Sequence, residues 1–302
     1  SVKYSSNLVR YIDKVITLGF PRPANILFLY LLGFYLLLLS LKVDYRIAAV
    51  GAIAYAFSSY FFIIIQAGHM TKAHAIAYLP MVVASVIYTY RGKLLLGGVL
   101  TALTVALELY SNHLQITYYL IFILIFIGLY QLFHDYNTKN LPSFFKRSAV
   151  LILAALLATG TCFTRLKTTM DYGKDSTRGK SELTNNIENK TKGLDKDYAT
   201  QWSYGIAETM TLLIPNFHGG ASQGELSTDS ETYNALKRSP NAKKIIKNLP
   251  LYWGDQPIVS GPTYAGAIVI FLFFLSLFLL KGRFKYWILS LTILSIFLAW
   301  GK

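Results

Sequence analysis

Cysteine is almost absent from this chain. The single residue, Cys162, excludes an intramolecular disulfide framework and any cysteine-based zinc site. Charge is also scarce. Charged residues make up 15% of the 302, and acids number 15 against 29 Lys and Arg. A soluble domain with so few charges would lack polar surface. Phosphate-binding and dinucleotide fingerprints are missing, and "HGG" (218–220) lacks the residues that would make it a nucleophile or phosphate loop, which argues against an ATP-driven pump. No basic run is interleaved with a folded soluble module, so the net charge of +14 does not describe a nucleic-acid surface.

What the chain has in abundance is apolar length. Hydrophobic residues reach 54%, and they fall in eight blocks: 24–41, 47–66, 74–90, 93–110, 114–133, 147–164, 263–280 and 285–300. Each is close to the length that crosses a bilayer core. Buried helices of a large soluble protein would show a polar stripe, and "LFLYLLGFYLLLLSL" (27–41) and "YYLIFILIFIGLYQLF" (118–133) show none. The fold class expected is an all-α polytopic membrane protein with about eight transmembrane helices and a long outer loop subdomain.

Orientation follows from where cations collect. The short loops 42–46, 91–93, 134–147 and 281–285 hold ten Lys or Arg against two acids, Asp44 and Asp135. These loops are expected in the cytoplasm, facing anionic lipid, with the turns at 67–73 and 111–113 and the segment 165–262 outside. Residues 1–22 carry four cations yet fall outside by alternation. Leu8, Ile12, Val15, Ile16 and Phe20 recur there at helical spacing, with Asn7, Arg10, Asp13 and Lys14 opposite. That pattern describes a helix lying in the interface plane; a cytoplasmic anchor with every span inverted is the competing arrangement. The expected organisation is 1–22 as an interfacial outer segment, 23–164 as six spans, 165–262 as an extracytoplasmic subdomain and 263–302 as two spans. Within 165–262 the polar centre (174–197) contrasts with apolar, aromatic ends at 202–222 and 251–266.

Unusual chemistry gathers on the outer side. "GHMTKAH" (68–74) places His69, Lys72 and His74 in one connecting turn, a pattern suited to binding an anion. Glu108 lies near the outer end of a span, where an acid is expensive and functional by default, and Asn112 and His113 follow it. On a continuous helix Glu108 and Asn112 would share a face. Each of these side chains alone is also compatible with an ordinary interfacial residue. The histidine spacing does not make a metal site by itself.

Taken together, "GHMTKAH", "ELYSNHLQITYYL", "STRGKSELT", "YGIAETMTLLIPNFHGG" and "YWGDQPIVSGPTYAGAIV" resemble the YfhO-type bacterial membrane proteins in their Bacteroidetes form, over essentially the whole chain. The resemblance implies a GT-C class membrane glycosyltransferase that takes a sugar from a polyprenyl-phosphate carrier and passes it to a cell-envelope glycan or protein acceptor, on the outer face of the cytoplasmic membrane. It also implies that Ser1 begins an internal piece, with a first span and an acidic motif upstream. Phosphate departure needs cations or a divalent metal ion to neutralise developing charge, and the acceptor hydroxyl needs a carboxylate base. Lys72, His69, His74, Arg178 and Lys180 would serve the phosphate, and Glu108 and Asp171 are the carboxylates at hand. Tyr252, Trp253, Asp255 and Gln256 form an aromatic and polar cluster suited to a sugar, or equally a loop-packing turn. The alternative from another class is a transporter or flippase for a lipid-linked or anionic substrate. It would use the same outer cations, but it predicts inverted repeats with broken helices, and no internal repeat is evident.

Overall fold

The computed structural model describes residues 7–174, 197, 200–282 and 284–301. Among them the chain is helical, with two isolated antiparallel bridges in place of any strand. Three helices are long and apolar enough to cross a membrane: α5 (Met70–Tyr90), α7 (Leu114–Asn137) and α8 (Leu141–Thr161). Shorter apolar helices accompany them, α2 (Ala24–Ser40) and α6 (Leu94–Tyr110) early in the chain, α12 (Ala267–Leu279) and α13 (Phe284–Trp300) late. The chain is thus an α-helical membrane protein. The apolar block 47–66 is divided at Phe57–Ser58 into α3 (Tyr45–Ala56) and α4 (Ser59–Gln66).

Two compact units account for these elements. The first contains 1–57 and 69–185, the second 58–68 and 186–302. In the first unit α5 is the central helix, buried over most of its length, whereas α7 and α8 turn most of their surface outward. With no aqueous surroundings to drive apolar groups together, helices in lipid associate through close backbone approach at small residues. Glycines do this here. A Cβ at Gly33 of α2 would stand 3.0 Å from the Ala77 carbonyl of α5, one turn before Pro80. On α6, a Cβ at Gly97 would meet Thr89 of α5 at 2.4 Å, and one at Gly98 would meet Val150 of α8 at 2.7 Å. Two adjacent glycines therefore seat α6 against neighbours on both sides.

A short helix, α1 (Leu8–Ile16), lies across one end of this bundle. Asn7 caps it by accepting from the Val9 N–H at 2.9 Å and donates to the Thr161 carbonyl at the end of α8. Val9 and Thr17 face the protein, while Leu8, Tyr11 and Val15 are exposed. An amphipathic helix with one face on protein and apolar side chains turned outward suits the membrane interface.

The long segment after the sixth apolar block begins differently from expectation. Its first ten residues belong to α9 (Phe163–Lys174), which packs on the end of α6: Arg165 donates to the Tyr110 carbonyl and lies 4.3 Å from that ring's centroid. In the second unit the two apolar ends of the segment meet. Gly219 pairs with Tyr252 and Gly224 with Leu249. Gly219 has φ +85°, and a Cβ there would stand 1.9 Å from the Leu251 carbonyl, so only glycine permits the pairing. Ser59 at the start of α4 closes the base of this unit by accepting from the Tyr264 N–H at 2.7 Å and donating to the Pro262 carbonyl. The polar centre read as 174–197 falls almost wholly outside the described residues.

The Gly97 contact yields a test. Gly97→Ala should destabilise the first unit by about 1–3 kcal/mol through overpacking. Cys162 is buried in that unit, so a thiol-reactive dye reports its unfolding on heating. An unchanged midpoint would show that α5 and α6 have room to separate.

Candidate functional site

The residues singled out at 68–74 do not form a turn. His69 is the N-cap of α5, and Lys72 and His74 stand in its first turns, three and five positions along. At 100° per residue those offsets point the three side chains in different directions. His69 is exposed, Lys72 half-buried and His74 buried. The inward direction of His74 joins it to a polar network that spans three helices.

His74 touches two other elements. Its Nε2 is 2.9 Å from Oδ1 of Asp13 on α1, and its Nδ1 is 3.0 Å from Oγ of Ser111, the C-cap of α6. Tyr78, one turn further along α5, donates its hydroxyl to the same Asp13 oxygen at 2.6 Å. Both bonds end on Oδ1, and Oδ2 makes no hydrogen bond among the described residues. The Asp13 side chain keeps 17% of its surface exposed, so the carboxylate is held from beneath and open on one side. Burial pushes its pKa up, but the hydrogen bonds and charge of His74, the Tyr78 hydroxyl and the charge of Arg22 outweigh that and hold it below the ordinary value of 3.8.

This geometry accommodates either state of the imidazole. In the neutral ring Nε2–H donates to Asp13 and Nδ1 accepts from the Ser111 hydroxyl. In the imidazolium both N–H groups donate, and the Ser111 hydroxyl turns to the Leu107 carbonyl 3.3 Å away. No polar atom of the network is stranded in either form, because the Ser111 hydroxyl has a second partner to turn to.

Glu108, Asn112 and His113 flank Ser111 in the chain. Glu108 is fully buried, and Thr117 of α7 lies 2.9 and 3.0 Å from its two carboxyl oxygens. Glu108 and Asn112 do not share a helical face. The α6 helix ends at Tyr110, Ser111 closes it by donating its N–H to the Glu108 carbonyl, and Asn112 turns left-handed at φ +55°. Asn112 then accepts from Thr169 of α9 at 3.2 Å, and His113 becomes the N-cap of α7. Asp171 sits apart on the surface of α9 in an ion pair with Lys167 at 3.5 Å, both largely exposed. Arg178 and Lys180 lie outside the described residues.

The four side chains expected to serve a sugar in "YWGDQ", Tyr252, Trp253, Asp255 and Gln256, belong to the second unit, and they divide. Tyr252 donates to Glu208, and burial together with that bond pushes its hydroxyl pKa up. Gln256 donates to the Trp202 carbonyl at 3.1 Å. Trp253 and Asp255 are exposed. Glu208 is buried, with the Gly205 N–H donating to its second oxygen at 2.6 Å. Beside it lies a cavity of about 30 Å³ lined by Tyr204, His218 and Tyr252, into which no chain longer than a water-sized group fits. Among the described residues no group of three His, Cys, Asp or Glu is placed to hold a metal ion.

Asp13, Tyr78, Ser111 and Glu208 are the residues that sequence reasoning did not select. One signal was available for Asp13, the only acid in residues 1–22.

The Asp13 contacts predict how α1 responds to acid. A carboxylate with a depressed folded pKa contributes its full stabilisation above its unfolded pKa and loses it as pH falls through the folded one. Docking of α1, read as resistance to acid protease near Tyr11, should therefore hold down to about pH 4 and fail below it. Asp13→Asn should already be cleaved faster at about pH 5, above the unfolded carboxylate pKa, and show no such step, and an Asn variant as resistant as the parent would disprove the docking role.

No known protein family, characterised protein or solved structure matches the chain.

Proposed function

We propose that the chain is a GT-C-like membrane glycosyltransferase that moves a sugar from a polyprenyl-phosphate carrier to a cell-envelope acceptor at the outer face of the cytoplasmic membrane. The sequence resemblance motivates the reaction class. The observation that carries it is the Asp13–His74–Ser111 network, which sets an ionised, one-side-open carboxylate at the end of a helical bundle, on an interfacial helix.

The division of labour follows from what each group has left to offer. Glu108 is enclosed and occupied by Thr117, which makes it a bracing group between α6 and α7. Asp13 takes the role of general base, receiving the acceptor's hydroxyl proton as the oxygen attacks the anomeric carbon and the carrier phosphate leaves. His74 keeps Asp13 ionised beforehand and can share the proton afterwards. Lys72 and His69 stand in and before the first turn of α5, whose positive end favours the departing phosphate.

Two features favour the transporter reading, the break of an apolar block at Phe57–Ser58 and a polar row on α6. Thr101, Thr104, Glu108 and Ser111 form a buried polar row along one face of α6, and Thr101 and Thr104 bond to Ser85 of α5. Yet Ser85 and Thr104 also bond to carbonyls of their own helices, and the α6 threonines reach only Ser85 across the interface, which is how hydroxyls are satisfied between packed membrane helices. That arrangement needs no route for a substrate.

Asp13→Asn should lower turnover from a polyprenyl-phosphate hexose by about 10²-fold or more, the range for loss of a general base. Lys72→Ala should chiefly raise the carrier concentration needed. Full turnover by Asp13→Asn would remove the assignment. Movement of labelled carrier across proteoliposomes with no glycosylated product would establish the transporter instead.

A further inference from the structure

The opposite end of the first unit carries a groove that the transfer reaction does not use. It measures about 630 Å³, within the range of small-molecule sites, and is formed by the end of α5, the end of α7 and the start of α8. Arg91, His134, Lys139 and Arg147 line it, together with Tyr90 and one carboxylate, Asp135.

Asp135 organises the floor. It is 1% exposed, and its two oxygens accept from His134 Nδ1 at 3.2 Å and Arg147 Nη1 at 3.3 Å. The Asn140 N–H donates to the Asp135 carbonyl at 2.7 Å, tightening the turn that brings Lys139 to the rim at φ +55°. Arg91 is anchored on the other wall by donating to the Ser40 carbonyl at the end of α2. Three permanent cations thus converge on a groove with one carboxylate, and two of the three are fixed in direction by neighbours. Exposed Tyr136 flanks the same helix end, an amphipathic ring of the kind enriched at headgroup depth, with exposed Phe133 and Phe145 beside it.

We propose that this groove binds a phosphate ester at the cytoplasmic headgroup level, with Arg91, Lys139 and Arg147 as its ligands. A guanidinium fork and an ammonium meet phosphate oxygens with charge-assisted hydrogen bonds, and the cytoplasmic leaflet is where anionic phospholipid concentrates. The inference does not rest on the transferase reading. The two share only the orientation of the bundle, with its basic end at the cytoplasmic membrane surface; given that orientation, phosphate binding at this end and transfer at the other are read by separate measurements and each can fail alone.

Purified full chain in nanodiscs provides the test, with unfolding followed by dye labelling of buried Cys162. Phosphatidylglycerol should raise the midpoint relative to phosphatidylcholine, and native mass spectrometry should find it retained. In Arg91→Gln/Lys139→Gln the midpoint gain should vanish and retention fall at least tenfold. These two positions leave the Asp135–Arg147 pair intact, and protection of Cys162 before heating verifies that the variant is folded. Soluble glycerol 3-phosphate is the second probe. Stabilisation by it, lost in the double variant, with no preference for phosphatidylglycerol, would assign the same groove to a water-soluble phosphate ester. Equal retention and equal midpoints for parent and double variant with every probe would overturn the site.

Discussion

A carboxylate on an interfacial helix, gripped by a histidine and a tyrosine of the central helix, is the interaction on which the first unit's chemistry depends. Charge-assisted hydrogen bonds of this kind contribute about 1.5–3 kcal/mol each, and losing one partner leaves others desolvated and unsatisfied. Without the bonds to His74 and Tyr78, α1 would be held mainly by Asn7 at Thr161 and by the apolar contacts of Val9. With them, α1 has a fixed place over α5 and α6, and its exposed Leu8, Tyr11 and Val15 can rest on lipid. The position of α5 is itself set by close packing against Gly33 and Gly97. Backbone proximity in the middle of the bundle therefore determines where an ionised group stands at its end.

Both units solve the same problem in the same way. Glu108 and Glu208 are buried acids, and each is satisfied by a hydroxyl from another part of its own unit, Thr117 in one and Tyr252 in the other. Glu208 also receives a backbone N–H. Asp135 is the ionic variant, held by Arg147 and His134. Among these acids only Asp13 combines firm partners with a remaining exposed edge. That difference separates a group able to meet a substrate from groups that brace the fold.

Much of the architecture was legible in the sequence because span length and composition are strong signals. The eight apolar blocks are helical, but among the described residues only three helices, or four if the pair bent at Phe57–Ser58 counts as one span, are long and apolar enough to cross a membrane, against about eight expected. Less legible was direction. The cluster at 68–74 looked like a shared cationic lip, but helix α5 begins at Met70, and helical geometry sends His74 inward and His69 outward. Asn112 looked like a partner of Glu108 until the C-cap at Ser111 and a left-handed residue broke the helical phase. Asp13 was read as one polar residue among four on an amphipathic face. Its partners are 61 and 65 positions away, and no local pattern reports a contact over such separation. In the second unit the contrast between a polar centre and apolar, aromatic ends is visible in the sequence, whereas the pairing of Gly219 with Tyr252 depends on a backbone approach that composition cannot show.

The central claim is that the end of the bundle carrying Asp13 and His74 meets the outside, where a lipid-linked sugar would be presented. Single cysteines at Lys14 and Arg91, introduced into a Cys162→Ala background, mark the two ends with exposed side chains. Intact spheroplasts treated with an impermeant thiol reagent should label the Lys14→Cys protein, and should label the Arg91→Cys protein only after lysis. Labelling of Arg91→Cys but not Lys14→Cys in intact cells would invert the bundle and place the network in the cytoplasm, contradicting an outer-face transfer reaction.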